Sequence, residues 1–167
     1  GRGADGYAVL IALLLAEYGA LCILASDKVK AFPRQKRAVV LVRLAKQGVL
    51  GKMLRALAAL ITNLRTRVVV GEATSFEYVV ADGLPEGLVS CPFLYNAAAA
   101  MLPAALLQAR ACVGLTIEAE GSTKWPLVAY LDDTTLVSLR MRGMQRAADV
   151  MSDDADETGD LFSRKKT

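Results

Sequence analysis

The stretch Tyr130-Leu131-Asp132-Asp133 sets two adjacent carboxylates between two apolar runs. Residues 125–130 (WPLVAY) lead into it and residues 134–139 (TTLVSL) lead out of it. Both flanks are rich in β-forming residues, so the sequence predicts two short strands joined by a tight turn at the aspartates. Two neighbouring ionised carboxylates repel each other, and either solvent at a surface turn or a bound cation must offset that repulsion.

The composition indicates a folded chain with a substantial core. Of 167 residues, 54% are hydrophobic and 22% are charged, which excludes a disordered polypeptide. The three cysteines, Cys22, Cys91 and Cys112, lack metal-binding spacing, and the chain has no histidine. These counts argue against a zinc site, a disulfide framework and catalysis by a Ser-His or Cys-His pair, and they predict reduced, buried thiols.

Residues 8–26 (AVLIALLLAEYGALCILAS) form an apolar segment whose one charged residue is Glu17. Its length is sufficient to cross a bilayer, which makes a membrane anchor one interpretation. The other is a helix followed by a buried strand, because Glu17, Tyr18 and Gly19 interrupt the run. On that interpretation residues 8–16 suit a helix and residues 20–25 suit a strand of a sheet covered on both faces.

The net charge of +3 conceals an uneven distribution of charge. Eleven Lys or Arg and no Asp or Glu lie between Lys28 and Gly71, whereas acids cluster at Asp149 and over residues 153–160. A basic block of this kind indicates a polyanion-facing surface. The alternative is that long basic side chains coat the solvent faces of two amphipathic helices.

The order of predicted elements indicates one α+β domain. Helices are expected at residues 4–16, 35–46, 50–63, 90–109 (with Ser90 as N-cap) and 141–157. Strands are expected at residues 21–26, 112–118 and 160–163, as a hairpin of residues 67–70 with 76–80, and as a pair within residues 127–139 around the aspartates; residues 83–87 form a loop.

Asp27 is a further carboxylate, placed at the end of a predicted core strand. It precedes the predicted Asp132-Asp133 turn by about a hundred residues. Polymerase palms use such carboxylates to bind two divalent ions roughly 3.5–4 Å apart. The segment Asp27-Lys-Val-Lys-Ala-Phe32 resembles the first palm motif of reverse transcriptases, most similar to non-LTR (LINE-type) retrotransposons and more distantly to group II intron enzymes. The resemblance implies that Asp27 is a metal ligand and that Phe32 stacks under the incoming sugar and excludes a 2′-hydroxyl.

Three further motifs follow in the order of the same family. Gly83-Leu-Pro-Glu-Gly87 resembles a Gly-Val-Pro-Gln-Gly loop, Tyr130-Leu-Asp-Asp133 resembles the Tyr-x-Asp-Asp signature, and Gly159-Asp-Leu-Phe-Ser-Arg-Lys-Lys166-Thr167 resembles the next motif. The resemblance implies metal ligation by Asp132 and Asp133. It also implies nucleotide contacts from Gly83, Pro85, Glu86, Gly87, Tyr130 and Lys166.

The family implies a palm-type antiparallel sheet with a ferredoxin-like or RRM-like core packed on helices. Residues 1–167 would form a single partial reverse transcriptase domain with a basic helical insertion at about residues 33–66, as a fragment of a longer polypeptide with fingers and thumb largely missing. The implied activity is RNA-directed DNA synthesis with two Mg²⁺ (or Mn²⁺) ions. Expected partners are an RNA template, a DNA primer, dNTP, and the fingers, thumb and any endonuclease domain of the parent polypeptide, with no obligate membrane partner.

Three positions depart from the family pattern. Pro33 stands where a second aspartate is common, Glu86 replaces glutamine, and Cys91 replaces serine. The negative charge of Glu86 should weaken binding of a triphosphate or template nearby. These departures suit an alternative, a catalytically inactive retroelement remnant that binds nucleic acid. A viral RNA-templated RNA polymerase also has an Asp-Asp turn, but Tyr130 and Phe32 favour DNA synthesis.

Overall fold

A computed structural model describes the backbone of residues 2–109, 116–117, 123–124, 127–130 and 133–163, and the side chains of residues 8–109 and 133–163. These residues form two compact units. The sheet unit comprises the described residues of Gly1–Val29, Ala100–Glu157 and Leu161–Thr167. The helical unit comprises Lys30–Ala99 and Thr158–Asp160.

Helices and strands follow one another in groups along the described chain. The helices are α1 (Arg2–Tyr18), α2 (Ala31–Arg34), α3 (Arg37–Lys46), α4 (Gly51–Ile61), α5 (Cys91–Ala99), α6 (Met101–Gln108) and α7 (Met141–Thr158). The strands are β1 (Cys22–Ser26), β2 (Arg65–Thr66), β3 (Val69–Val70), β4 (Ala73–Thr74), β5 (Tyr78–Val79), β6 (Thr116–Ile117), β7 (Thr123–Lys124), β8 (Leu127–Tyr130) and β9 (Asp133–Ser138).

The sheet unit is built on an antiparallel sheet in the order β1-β9-β8. Leu136 of β9 lies opposite Leu24 of β1 and Leu127 of β8. On one face Leu136 is fully buried in a core with α6 and α7, and on the other face Val137 is buried with Leu14 of α1. The alternation of Leu136 and Val137 therefore gives β9 an apolar residue for each of two covered faces.

The apolar segment of residues 8–26 divides into the end of α1 and strand β1. This division confirms the predicted helix followed by a strand. However, the prediction that this strand is buried on both faces is wrong, because Ile23 and Ala25, which share one face of β1, are exposed. Ile23 is 42% exposed.

The core of the helical unit joins α3, α4 and α5. Val40 and Leu44 of α3, Ile61 of α4, and Leu94 and Tyr95 of α5 are at most 1% exposed. The apolar spacing that predicted helices at 35–46 and 50–63 corresponds to this packing. The predicted hairpin that follows is formed by two short ladders, β2 with β5 and β3 with β4.

The predicted helix over residues 90–109 is divided at Ala100 into α5 and α6. Among the described residues, Cys91–Gln108 is the one helical stretch whose length and apolar composition would allow a membrane crossing. Leu94 and Tyr95 belong to the core of the helical unit, and Leu102 and Leu106 belong to the core of the sheet unit. Part of its apolar surface is therefore buried within the two units, whereas Phe93 and Leu107 are exposed.

Candidate active site

The register of β1 and β9 brings two of the predicted metal ligands to the same end of the sheet. Ser26 is the last residue of β1 and pairs with Thr134 of β9, and the Ser26 hydroxyl donates to the Thr134 carbonyl oxygen at 3.1 Å. Asp27 directly follows Ser26 and Asp133 directly precedes Thr134, so the two carboxylates flank the last residue pair of this ladder. Asp27 is half-buried and Asp133 is exposed.

The third predicted metal ligand, Asp132, lies between β8 and β9 in the sequence. Tyr130 at the end of β8 pairs with Asp133 at the start of β9, so the two strands predicted around the aspartates are antiparallel neighbours. Asp132 and Lys166 lie outside the described residues, as does the side chain of Tyr130. Within the described residues no three metal-ligating side chains gather. Asp27 and Asp133 nevertheless supply hard oxygen donors of the type that Mg²⁺ and Mn²⁺ prefer, so the donor set fits such ions.

The 83–87 loop belongs to the helical unit and begins at a buried glycine. Gly83 has a φ of +90°, and a Cβ added there would lie 2.2 Å from the Pro33 carbonyl oxygen. The next residue, Leu84, is buried and donates its backbone N–H to the Phe32 carbonyl oxygen at 2.8 Å. The loop therefore begins in direct backbone contact with the segment that carries Phe32 and Pro33, and this contact requires a glycine.

Phe32, the predicted sugar gate, is half-buried and packs against the core of the helical unit. Its ring lies 4.9 Å from the ring of Tyr95, centroid to centroid, with the planes tilted by 35°. This geometry is typical of a stabilising aromatic pair. Phe32 is thus held by core packing, and its role beneath a nucleotide sugar stays a prediction.

The 83–87 loop forms one wall of an open cleft of about 420 Å³. Glu86 and Gly87 are exposed, Pro85 is half-buried, and the loop closes with a hydrogen bond from Leu88 N–H to the Pro85 carbonyl at 3.4 Å. The cleft is lined by Pro33, Leu64, Arg65, Thr66, Val80, Asp82, Gly83, Leu84, Pro85 and Glu86. The Glu86 carboxylate therefore lines a cleft large enough for a small molecule.

Gly159 and Asp160, from the last of the predicted motifs, are fixed within the helical unit. Asp160 is buried and accepts hydrogen bonds from the Gln35 side chain at 2.7 Å and the Thr158 hydroxyl at 3.1 Å. Gly159 has a φ of +87°, and a Cβ there would lie 2.6 Å from the Arg34 carbonyl oxygen. These residues hold the end of α7 against the connection between α2 and α3.

The eleven basic residues of the 28–71 block have two different environments. Lys28, Arg37 and Arg43 are buried, and the Arg43 guanidinium donates to the Ala98 carbonyl at 3.0 Å. Arg65 and Arg67 form exposed ion pairs with Glu77. The remaining basic side chains, which are exposed, are those of Lys30, Arg34, Lys36, Lys46, Lys52 and Arg55.

The contact of Arg37 with Asp82 is a feature that sequence patterns do not reveal. Arg37 is 6% exposed, and its backbone N–H donates to the Asp82 carboxylate at 2.8 Å. The same carboxylate oxygen accepts from the Gly83 N–H at 3.0 Å. The Asp-Gly pair signals a turn at this position. A charge pattern alone, however, does not distinguish a buried arginine from the solvated ones around it.

Cys91 is the first residue of α5, and its thiol is buried in the core of the helical unit. Burial raises the pKa of the Cys91 thiol above its ordinary value of 9.0, and the positive charge of Arg37 partly opposes this rise. Cys22 and Cys91 are both free thiols, as predicted, but only Cys91 is buried, since Cys22 is half-buried. Cys112 lies outside the described residues.

The Cys91 thiol should make stability fall at alkaline pH. Below about pH 9 it is protonated in both the folded and unfolded states, and it adds no pH dependence. As pH rises above 9.0, the unfolded chain loses this proton while the folded chain keeps it, so stability falls by up to about 1.4 kcal/mol per pH unit. Urea denaturation at pH 8 and pH 10 measures this, and the difference between wild type and Cys91→Ala should shrink with pH. A constant difference would contradict the prediction.

The fold of this chain is similar to that of solved structures, although its sequence matches no known family. No family model and no curated protein matches the chain. Telomerase from Candida albicans, solved in complex with the TWJ fragment of telomeric RNA, matches with a TM-score of 0.73 at 13% identity, over 98% of this chain and 29% of that chain. The chain has a reverse-transcriptase-like fold. Apo telomerase from Candida tropicalis, truncated from its C-terminal domain, matches with a TM-score of 0.71 at 12% identity, over 98% of this chain and 33% of that chain.

These matches confirm the predicted α+β fold with a palm-type antiparallel sheet. The chain spans less than two fifths of the length of either telomerase chain. At identities of 12–13% the likeness concerns the fold, and the narrower assignment to LINE-type elements rests on the sequence motifs alone.

Proposed function

We propose that this chain is the palm of an RNA-directed DNA polymerase that transfers nucleotides from dNTP to a primer 3′-hydroxyl. The observation that supports the proposal is the register of β1 and β9, in which Ser26 pairs with Thr134 and the neighbouring residues in sequence are Asp27 and Asp133. The reverse-transcriptase-like fold supports it independently. Within that family, the motif from Asp27 to Phe32 and the basic insertion favour the non-LTR branch.

In this proposal Asp27, Asp132 and Asp133 hold two Mg²⁺ or Mn²⁺ ions. Ions bound there would activate the primer 3′-hydroxyl and neutralise charge on the triphosphate and the departing pyrophosphate. In this proposal the protein's own contribution is to keep the carboxylates together at one end of the sheet, where Asp27 follows β1 and Asp133 begins the paired strand β9. Binding and orientation of the reactants then lower the barrier by proximity.

The nucleotide contacts proposed for the remaining site residues follow the same motifs. Phe32 and Tyr130 border the sugar, and Lys166 approaches the triphosphate. The 83–87 loop contributes Gly83, Pro85, Glu86 and Gly87 to a surface for the template base and incoming nucleotide. Glu86, which is exposed, weakens that surface for polyanions because its carboxylate is negative.

An RNA template and a DNA primer are the macromolecular partners of this proposal. The telomerase of Candida albicans was solved with a telomeric RNA fragment, and its likeness to this chain supports a nucleic-acid partner. Exposed Lys46, Lys52 and Arg55 on and beside α3 and α4 supply positive charge for phosphate contacts. Such contacts are sequence-independent and weaken as salt rises.

Mn²⁺ binding, followed by electron paramagnetic resonance, tests the metal site directly. We expect Asp132→Asn/Asp133→Asn and Asp27→Asn to weaken Mn²⁺ binding by about tenfold or more, because each removes an anionic ligand. The matched control is Asp149→Asn/Asp153→Asn, which removes the same charge from exposed positions of α7. It should bind Mn²⁺ as the wild type does.

Equal loss in the control and the site variants would show that net charge, not a site, attracts Mn²⁺, and the proposal would fail. An inactive remnant would give a different result. It would bind an RNA–DNA hybrid in a salt-dependent manner but would show no specific Mn²⁺ binding. Fluorescence anisotropy with a labelled hybrid, with and without Mn²⁺, separates these two functions.

A further inference from the structure

The guanidinium of Arg37 binds the chain immediately before and at the start of the 83–87 loop. It donates from Nε to the Gly83 carbonyl at 2.6 Å, from Nη1 to the Val80 carbonyl at 2.9 Å, and from Nη2 to the Asp82 carbonyl at 3.2 Å. Arginine has five donors in a rigid planar group. One buried side chain therefore fixes three carbonyls within four consecutive residues.

These carbonyls belong to a segment that lies beyond the end of the β2–β5 ladder. Strand β5 ends at Val79, and Val80 contributes one further backbone bond, from its N–H to the Leu64 carbonyl at 2.8 Å. The hydrogen bond to the Gly83 carbonyl is buried and those to the Val80 and Asp82 carbonyls are partly buried, so the Arg37 guanidinium supplies donors where water has limited access. A buried arginine is a costly way to stabilise a fold, because its charge must leave water. The benefit that offsets this cost is the fixed backbone geometry of residues 80–83.

The first residues of the loop are held from a second direction by the segment containing Phe32 and Pro33. Leu84 donates to the Phe32 carbonyl, and the Pro33 carbonyl lies where a Cβ of Gly83 would be. By contrast, Gly87 at the far end of the loop has open space around it, and Glu86 is exposed. The loop thus has a fixed base and an exposed tip.

We propose that Arg37 is a positioning residue that holds the base of the 83–87 loop, so that its exposed tip, Glu86 and Gly87, is presented in one geometry to the template–primer and nucleotide. This inference rests on the proposed function, since the ligand of the loop is taken from it. Arg37 itself contacts carbonyl oxygens of the loop base, and it acts on the ligand only through the loop.

Arg43 offers a matched control within the same helix. Like Arg37, it is a buried arginine of α3 that donates to a backbone carbonyl, but its partner is Ala98 of α5. Arg37→Met and Arg43→Met each remove a buried guanidinium and keep an apolar stem. Arg37→Lys serves as the conservative variant, because an ammonium keeps the charge but cannot match the planar fork.

Amide hydrogen exchange at Leu84 and anisotropy with a labelled RNA–DNA hybrid plus Mn²⁺ and dNTP are measured on all three variants. The reference amide is that of Met144, which donates to the Arg140 carbonyl and contacts neither arginine of α3. We expect Arg37→Met to speed exchange at Leu84 by about tenfold relative to Met144 and to weaken hybrid binding by about three- to tenfold. Arg37→Lys should recover part of both effects. Arg43→Met should leave binding and the Leu84-to-Met144 exchange ratio unchanged, even where it lowers stability.

Parallel changes in the two methionine variants would overturn the inference, because Arg37 would then contribute only general stability. An unchanged exchange ratio in Arg37→Met would overturn it as well. If the wild type itself binds no hybrid, the proposed function fails. The exchange ratio still decides whether Arg37 holds the loop base, so the two failures are distinguishable.

Discussion

Gly83→Ala should lower the free energy of unfolding by about 2–4 kcal/mol. Two costs combine at this position. The φ of +90° is one that L-residues rarely adopt, and the new Cβ would lie 2.2 Å from the Pro33 carbonyl oxygen and 2.7 Å from its carbonyl carbon. Backbone atoms cannot rotate away as a flexible side chain can. Either the loop base or the α2 segment must shift, which would also strain the hydrogen bond from Leu84 to Phe32.

Gly87→Ala is the control for this change, since it lies in the same loop with nearly the same φ of +88° but has no atom within 4 Å of the added Cβ. It should cost only the backbone strain, about 1–2 kcal/mol. Urea denaturation followed by circular dichroism measures both variants. Equal losses would show that the contact with Pro33 does not determine the need for glycine at position 83.

The strand pairing at the candidate metal site could be predicted because it depends on short-range patterns. The β-forming flanks of the aspartates predict strands β8 and β9, and two strands this close in sequence pair as antiparallel neighbours. The pairing of β9 with β1 is different. Nothing in the composition of β1 states which strand it joins, and the expectation that Asp27 meets Asp133 came from the motif resemblance.

The sequence could not reveal how the helical unit uses its basic residues. Arg37 and Arg43 occupy α3 among solvated lysines and arginines, and helical periodicity gives no indication that their guanidinium groups are inward and bound to carbonyls. The same holds for Gln35 and Asp160, which are far apart in the chain and meet only through the tertiary fold. Long-range polar contacts depend on geometry that local propensity does not encode.

The environment of β1 illustrates the opposite error. Its composition is as apolar as that of a strand covered on both faces, yet Ile23 and Ala25 are exposed while Leu24 packs against the core shared by α6 and α7. Hydrophobicity measures how much a segment can bury, whereas the packing of other elements decides which face is covered. Hence the helix and strand in residues 8–26 were predictable, but the coverage of the two faces of the strand was not.

Leu136→Ala should be the other strongly destabilising change, at about 3 kcal/mol or more. Leu136 has no exposed surface, lies between Leu24 and Leu127 across the central strand, and packs into the core with α6 and α7. Removal of its side chain leaves a cavity that a sheet fixed on two sides cannot close. Leu13→Ala deletes the same atoms from a 63% exposed position of α1 and should change stability by less than about 0.5 kcal/mol.

Leu136 and Asp133 lie on the same strand, which allows stability and metal binding to be separated. Under conditions where more than about nine tenths of the Leu136→Ala chain is folded, its Mn²⁺ affinity should equal that of the wild type, because the mass-action loss from the unfolded fraction is then small. Asp133→Asn should weaken Mn²⁺ binding and leave stability nearly unchanged, because its exposed side chain adds little to the core. Denaturation and Mn²⁺ titration on both variants measure this. A Leu136→Ala chain that is folded but has lost Mn²⁺ binding would mean that β9 must be held rigid for Asp27 and Asp133 to share an ion.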